Sequence, residues 1–445
     1  MKFTLALSLC LLGMGLTAAA AEPLSLEQAV AYALEHNLDL QATDEQTRAA
    51  AERSGAAHSA RLPQVDVRYM RRRSDNPLDV FADRLNTRNV NPAIDFTAGA
   101  LNYPDPSNIN ATELALRLPL YTGGRLTAAI RGAEHTERSA RLRAERARQQ
   151  TAFQAHQAYL AAQVAAEGVA ITADAVQVAR EHAHTSARLV REGRIVTSDK
   201  MTAELNLAAL ESAREQALNR QRRSLDELKL VMGMPLDAPI EIVPWRSPVD
   251  AATATLAESE QRALAQRKDL QAGHGQVNAG RASVDEARAA FRPQVSVVAA
   301  NNWYDEHGLL DNRSTSIMGV VSMNLFSGGQ TRHNVAAARH QAQAAEIQVQ
   351  SQERNIRNEV RSAHSNLREA LARYAIAAQS VDKARATSRL IKKRYGEGRT
   401  LLIEVLTAER ILVEVRNEEL ASAYYVALSR AALRLAEGAP DFTDG

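Results

Sequence analysis

Residues 330–395 read QTRHNVAAARHQAQAAEIQVQSQERNIRNEVRSAHSNLREALARYAIAAQSVDKARATSRLIKKRY, 66 residues with no glycine and no proline. Globular helices ordinarily run about 10–20 residues. Inside this stretch apolar residues fall on a 4-3 spacing: Ile356, Val360, Ala363, Leu367, Ala370, Tyr374, Ala377, Val381 and Ala384. That spacing is the heptad seam of a coiled coil. Every other seam position is alanine, so a neighbouring helix can come close. As one helix the stretch would be roughly 100 Å long at about 1.5 Å per residue. The pattern predicts a long, thin, helical object.

The stretch has a twin. Subtracting 205 from each seam number gives Thr151, Ala155, Ala158, Ala162, Ala165, Val169, Thr172, Val176 and Ala179, again small or apolar. The offset continues outside the helix. Gly123-Gly124 matches Gly328-Gly329, Gly193 matches Gly398, Ala203-Glu204 matches Ala408-Glu409, and Gly233 and Pro235 match Gly438 and Pro440.

Upstream of each long helix the pattern repeats at an offset of 230. Ala33-Leu34 returns as Ala263-Leu264, Asp39-Leu-Gln-Ala42 as Asp269-Leu-Gln-Ala272, and Pro63-Gln-Val65 as Pro293-Gln-Val295. The offset falls from 230 to 205 because the first loop is 25 residues longer, and loops absorb insertions. Each half therefore reads helix–strand–loop–strand–long helix–tip–helix, an internal duplication. The expected bounds are a signal peptide at 1–21, a first unit at 22–235, a linker at 236–253 and a second unit at 254–445. The first unit has strands at about 64–71 and 113–121 and a coiled-coil hairpin at 126–232. The second has strands at about 294–303 and 316–326, a hairpin at 330–436 and a short tail.

The leader assignment rests on Met1-Lys2, the apolar run Leu5–Leu16 and the small residues Ala18–Ala21. Leu9 before Cys10 does not fit a lipoprotein cleavage box. Cys10 is the one cysteine, so an exported mature chain would hold no disulfide, thiolate metal site or thiol nucleophile. Basic and acidic residues number 54 and 52 and are interspersed, which describes a solvated helical surface and excludes a nucleic-acid patch. Aromatics are 4% of residues, sparse for a globular core of this size but suited to alanine-rich coiled coils. Beyond the leader no segment approaches the run of about 18 apolar residues of a membrane-spanning helix.

The strands alternate. Gln64–Tyr69 does so with period two, and Leu114, Leu116, Leu118 and Leu120 share one face. In the second unit Val321, Met323 and Leu325 share a face, with Ser322 and Asn324 on the other. Residues 71–112 between the first two strands read as a long polar loop. Strands of this length and pattern fit an outer-membrane β-barrel, lipid-facing and lumen-facing in turn. Four strands cannot close a barrel, which needs at least about eight, and an open edge in lipid is not allowed. The chain would have to oligomerise; a soluble four-stranded sheet is the alternative.

The chain resembles the TolC-like outer-membrane efflux factor family. The residues that carry the likeness are the duplicated Pro-Gln-Val, Pro119-Leu-Tyr-Thr-Gly-Gly124 with Leu325-Phe-Ser-Gly-Gly329, and Arg394-Tyr-Gly-Glu-Gly-Arg-Thr-Leu-Leu-Ile-Glu-Val-Leu-Thr-Ala408. It covers nearly all of the expected mature chain. The resemblance implies a mainly α chain with membrane β strands. It implies a homotrimer whose 12-stranded β-barrel in the outer membrane continues into a 12-helix periplasmic α-barrel. It also implies docking on a periplasmic adaptor and an inner-membrane pump, with no cofactor.

The family closes the periplasmic end of its tunnel with an acidic ring and a tyrosine- and arginine-based lock. By motif position Tyr395 matches the lock tyrosine and Glu404 the first acidic ring residue. Tyr395 also extends the seam, through 384 and 391. Thr407 stands where some members have a second aspartate, so one acidic ring would be missing. Arg399 sits one position before those members' arginine, where this chain has Thr400. Asp199 matches a carboxylate that partners the lock. A threefold ring of Glu404 should favour cations. The plainer reading is that Asp199 and Glu404 begin the return helices, where carboxylates suit the positive helix end. Gly193, Arg194, Gly398 and Arg399 would form the tips that meet the adaptor, or simple turns.

No catalytic or metal motif stands out. His182 and His184 point to different helix faces, and no His-Glu-x-x-His, phosphate loop or Gly-x-Ser-x-Gly occurs; the expectation is a protein that is not an enzyme. Two other classes compete. A periplasmic adaptor would carry one hairpin between glycine-rich halves. A structural coiled-coil filament would have unbroken heptads and no amphipathic strands. Small-molecule export is the leading reading, with the conduit of a type I protein secretion system as the alternative.

Overall fold

A computed structural model describes residues 23–245, 254–306, 310–397 and 399–439. The leader, Gly398, Gly308, linker residues 246–253 and tail residues 440–445 lie outside the described residues.

The chain opens with two helices, α1 (Leu26–His36) and α2 (Leu38–Ser59), followed by strand β1 (Gln64–Ser74). Three short helices come next, α3 (Pro77–Asn86), α4 (Pro92–Asp95) and α5 (Ala98–Asn102). Strand β2 (Ser107–Tyr121) leads into α6 (Arg125–Arg191) and α7 (Thr197–Met232). The second half runs α8 (Leu256–Gln266), α9 (Lys268–Arg288), β3 (Gln294–Asp305), β4 (Arg313–Ser322), α10 (Gln330–Gly396) and α11 (Leu402–Glu437). The helices α6 and α10 are 67 residues each, and α7 and α11 are 36 each.

Local chemistry sets these bounds. Ser25 and Gln28 make a capping box at the start of α1, and Thr255 and Glu258 make the same box at α8. Gly124 and Gly329, at φ +91° and +88°, start the long helices from turns that an L side chain enters at a cost. The return helices α7 and α11 end on Gly233 and Gly438 in the left-handed region.

The two long hairpins, α6 with α7 and α10 with α11, are the body of the molecule. Helix α9 packs against both α6 and α10, α2 packs on α6, and α11 packs on α6. The seam of α10 turns inward as its spacing requires: Ile356, Val360, Leu367, Ala370, Ala377 and Val381 are buried. One cluster joins Ala155, Ala158, Tyr159 and Ala162 of α6 to Ala29 and Ala33 of α1 and Leu228 and Met232 of α7. A second joins Ile356, Val360 and Leu367 of α10 to Ala263 and Leu270 and to Leu433 and Ala436 of α11. Part of the linker lies across this level as a strap. The Tyr159 hydroxyl donates to the Leu24 carbonyl at 2.7 Å and accepts from the Val243 amide at 3.2 Å, and Leu24 bridges Ile242.

The four strands form one antiparallel sheet in the order β1-β2-β3-β4. Its register fixes two faces. Val65, Leu116, Ala299 and Ile317 stand side by side, as do Leu118, Val297 and Gly319. On the opposite face Asp66, Ala115, Ala300 and Ser316 align, and Arg68, Glu113, Asn302 and Ser314 align one step further on. Apolar residues on the first face are bare, Val67 being 71% exposed and Ile317 75%. The outer edges of β1 and β4 pair with no strand among the described residues.

The structure corrects three sequence expectations. β1 and β2 run longer than expected, because Arg71–Ser74 pairs with Ser107–Asn110. Their polar side chains hide the alternation. The polar loop between them holds α3, α4 and α5, capped by Asn76, Asn91 and Thr97. β4 ends at Ser322, so Met323 and Leu325 lie beyond the strand, although Val321 is on the expected face.

Candidate site: the helical tip

The helical end opposite the strands is made of two reverse turns, residues 192–196 and 397–401. In the first, Gly193 takes φ +67°, its amide donates to the Val190 carbonyl at 3.0 Å, and the Arg194 amide donates to Leu189 at 2.9 Å. These two bonds close the C-terminus of α6. In the second, the Arg399 amide reaches the Arg394 carbonyl at 2.9 Å in the same way. Both tip arginines are exposed and pair only within their own turns, Arg194 with Glu192 at 3.7 Å and Arg399 with Glu397 at 3.3 Å.

Just above the turns Ala183 and Ala203 pack on Leu402 and Leu406, with Leu207 and Tyr395 at the margin. This small cluster ties the tip of one hairpin to the tip of the other. Tyr395 is half-buried here. Burial pushes its phenol above the usual tyrosine value, and the negative charge of Asp199 adds to the effect. Two of the expected gate residues, on different hairpins, thus act on each other through charge.

Glu404 stands apart from that pair. It begins α11 and accepts a hydrogen bond from the Thr400 hydroxyl. It lines a groove of about 580 Å³ between α10 and α11, walled by Ile391, Ile403, Ile411 and Val415 and bordered by Lys383 and Thr407. Arg399 is joined to neither Tyr395 nor Asp199 by a recorded hydrogen bond or ion pair.

The sequence reading missed a polar junction within the second hairpin, between α10 and α11. Ser388 is buried and donates to the Glu409 carboxylate, which also meets Lys392 at 3.0 Å. His182 of α6 feels the charges of Lys392 and Glu409. Burial and the Lys392 charge lower its pKa, against the opposing pull of Glu409 and Glu181. Among the described residues no group of three or more His, Cys, Asp or Glu could hold a metal ion. No described helix is long and apolar enough to cross a membrane.

A four-stranded sheet with an exposed apolar face leads into two long helical hairpins, an arrangement shared with solved outer membrane channels. The family model described as outer membrane efflux protein matches residues 29–234 and 260–439, and the chain belongs to that family. Solved structures agree on the fold. The CmeC outer membrane channel of Campylobacter jejuni superposes with a TM-score of 0.75 at 19% identity, covering 93% of this chain and 85% of that one. The outer membrane protein VceC of Vibrio cholerae gives 0.76 at 18%, covering 93% and 96%. The MtrE outer membrane channel of Neisseria gonorrhoeae gives 0.77 at 16%, covering 93% and 89%. Among curated proteins none matches by sequence. The protein is an outer membrane efflux protein.

Proposed function

We propose that three copies of this chain form a channel-tunnel that exports small molecules across the periplasm and the outer membrane. The observation that carries the proposal is the sheet: four strands, two free edges, and one apolar face with no covering layer. Lipid would cover that face, and β1 of one copy would pair with β4 of the next, giving twelve strands without an edge. The helices leave the strands at the two Gly-Gly turns and would continue the wall as twelve helical elements. The matching halves then place six similar hairpins around the tube, which an internal duplication explains. CmeC and MtrE, whose fold this chain shares, are outer membrane channels.

The tip would be the periplasmic gate. Tyr395 and Asp199 would hold the two hairpins together, while Glu404 would face the axis as a ring of three carboxylates. The exposed residues Gly193, Arg194 and Arg399, together with Gly398, would receive the periplasmic adaptor that links the tunnel to an inner-membrane pump. Rings of fixed negative charge select cations. Purified protein in planar bilayers should therefore form cation-selective pores, and Glu404→Gln should move the reversal potential in a salt gradient toward zero. Absence of pores would end the channel proposal. Pores with an unchanged reversal potential would remove Glu404 from the axis.

A further inference from the structure

The segment between β1 and β2, residues 75–106, is far longer than the turn between β3 and β4, and it is folded. Its helix α3 is fastened to one face of the sheet, and the register says which. Arg72 pairs across the ladder with Ile109, and both alternate in phase with Asp66, Arg68, Ala115 and Glu113. That is the polar face, opposite the row Val65, Leu116, Ala299, Ile317. Arg72 meets Asp79 at 3.0 Å and Asp83 at 2.5 Å. Asp83 is 4% exposed and also accepts from the Ser107 hydroxyl at 2.6 Å. Val80 of α3 and Ile109 of β2, each 2% exposed, line the cleft between segment and sheet. The segment is braced within itself by Arg84 and Asp95, and Arg88 reaches past β3 to the Arg313 carbonyl at 3.2 Å.

We infer that this segment is a lid over the outer mouth of the pore. The inference rests on the channel-tunnel reading, in which the polar face looks into the lumen. A surface loop with no role in the pore could fold away from the barrel or over its lipid face. This one lies on the lumen side of β1 and β2, reaches the end of β4 through Arg88, and is fixed there by a buried carboxylate. It sits at the strand ends away from the Gly-Gly turns, hence at the outer end. Three such lids would narrow the mouth from its rim, giving the tunnel an outer constriction in addition to its periplasmic gate. Pro104 and Pro106 flank one attachment and Pro77 follows the other, so the segment is stiff and its motion would be a swing about the Arg72–Asp83 anchor.

Cysteine labelling tests this directly, because Cys10 is the chain's one cysteine and precedes the described residues. Ser316 lies on the polar face, beside Ala300. In Ser316→Cys cells, a bulky polymer-linked maleimide added outside should react slowly. Replacing residues 75–106 by an Asn-Gly turn should raise that rate on the order of tenfold, since labelling follows thiol access. Should the shortened protein fail to assemble, Arg72→Gln with Asp83→Asn unfastens the lid at nearly constant shape and should raise the rate in the same direction. Equal rates with lid fastened, unfastened and removed would overturn the inference while leaving the channel intact. A thiol that no reagent, large or small, reaches from outside in any variant would overturn the face assignment and the lid with it.

Discussion

His156 shows how a single buried side chain sets a pH limit on this fold. It lies on α6 among the alanines of the first core cluster and is 7% exposed. Burial lowers its pKa to about 4, with Arg434 adding to the shift and Glu27 opposing it. A histidine held neutral in the folded state is stabilising above its ordinary value of 6.5. As pH falls from there toward about 4, the unfolded chain takes up the proton first and stability is lost. The loss approaches about 3 kcal/mol at roughly 1.4 kcal/mol per pKa unit. Thermal unfolding of wild type should shift down across that window, and His156→Gln should show a distinctly flatter dependence; parallel profiles would count against His156. Nothing in the local sequence marks this site. The seam on which it borders was legible, because heptad spacing is a local property. Its burial was not, because α6 carries α1, α2, α7, α9 and α11 at once. Long-range partners explain its other buried polar groups too: Arg146 donates to the Leu435 carbonyl at 2.9 Å and Gln149 to the Gly438 carbonyl at 3.0 Å.

Among the elements, the long helices were the most legible and the outer strand ends the least. A run without glycine or proline has nothing to stop it, so α10 begins at Gln330 as expected and ends one residue past Tyr395. The polar loop offered signals that length concealed: Asn76-Pro77 and Asn91-Pro92 each put a capping side chain before a proline in the first helical turn. The strand-to-helix turns, by contrast, look alike in sequence and differ in surroundings. Gly123 and Gly328 both take positive φ, +65° and +60°. A Cβ at Gly123 would come within 2.7 Å of the Ala289 carbonyl oxygen and 2.8 Å of Arg292 Cβ, whereas one at Gly328 would meet nothing within 4 Å. Both alanine variants should carry the left-handed penalty of about 1–2 kcal/mol. Gly123→Ala should lose about 1–3 kcal/mol more, because backbone must move to relieve the overlap. Chemical denaturation of the two variants side by side reads the difference. Equal losses would mean that residues 289–292, just past α9, do not clamp the first turn as the structure describes.

For the whole molecule, the proposed gate and docking roles of the tip depend on other chains. Tyr395 feels the charge of Asp199 within one copy. Glu404 and Arg399 do not join them, and their proposed roles need a symmetry axis or a partner. The motif around Tyr395 could be read because it is contiguous. The Ser388–Glu409–Lys392 junction could not, because it joins α10 to α11 across about one turn of each. Arg399 is the position that separates the remaining readings, being exposed and with its side chain paired to Glu397. A photo-activated side chain placed there in living cells should capture a periplasmic adaptor, identified by mass spectrometry of the adduct, and the adaptor's pump would then name the class of cargo. Capture of sister copies alone would place the residue inside the closed gate and remove it from the docking surface. Capture of nothing, with the probe shown to be incorporated, would leave the second turn facing water and shift docking to the turn around Gly193, where the same probe at Arg194 decides.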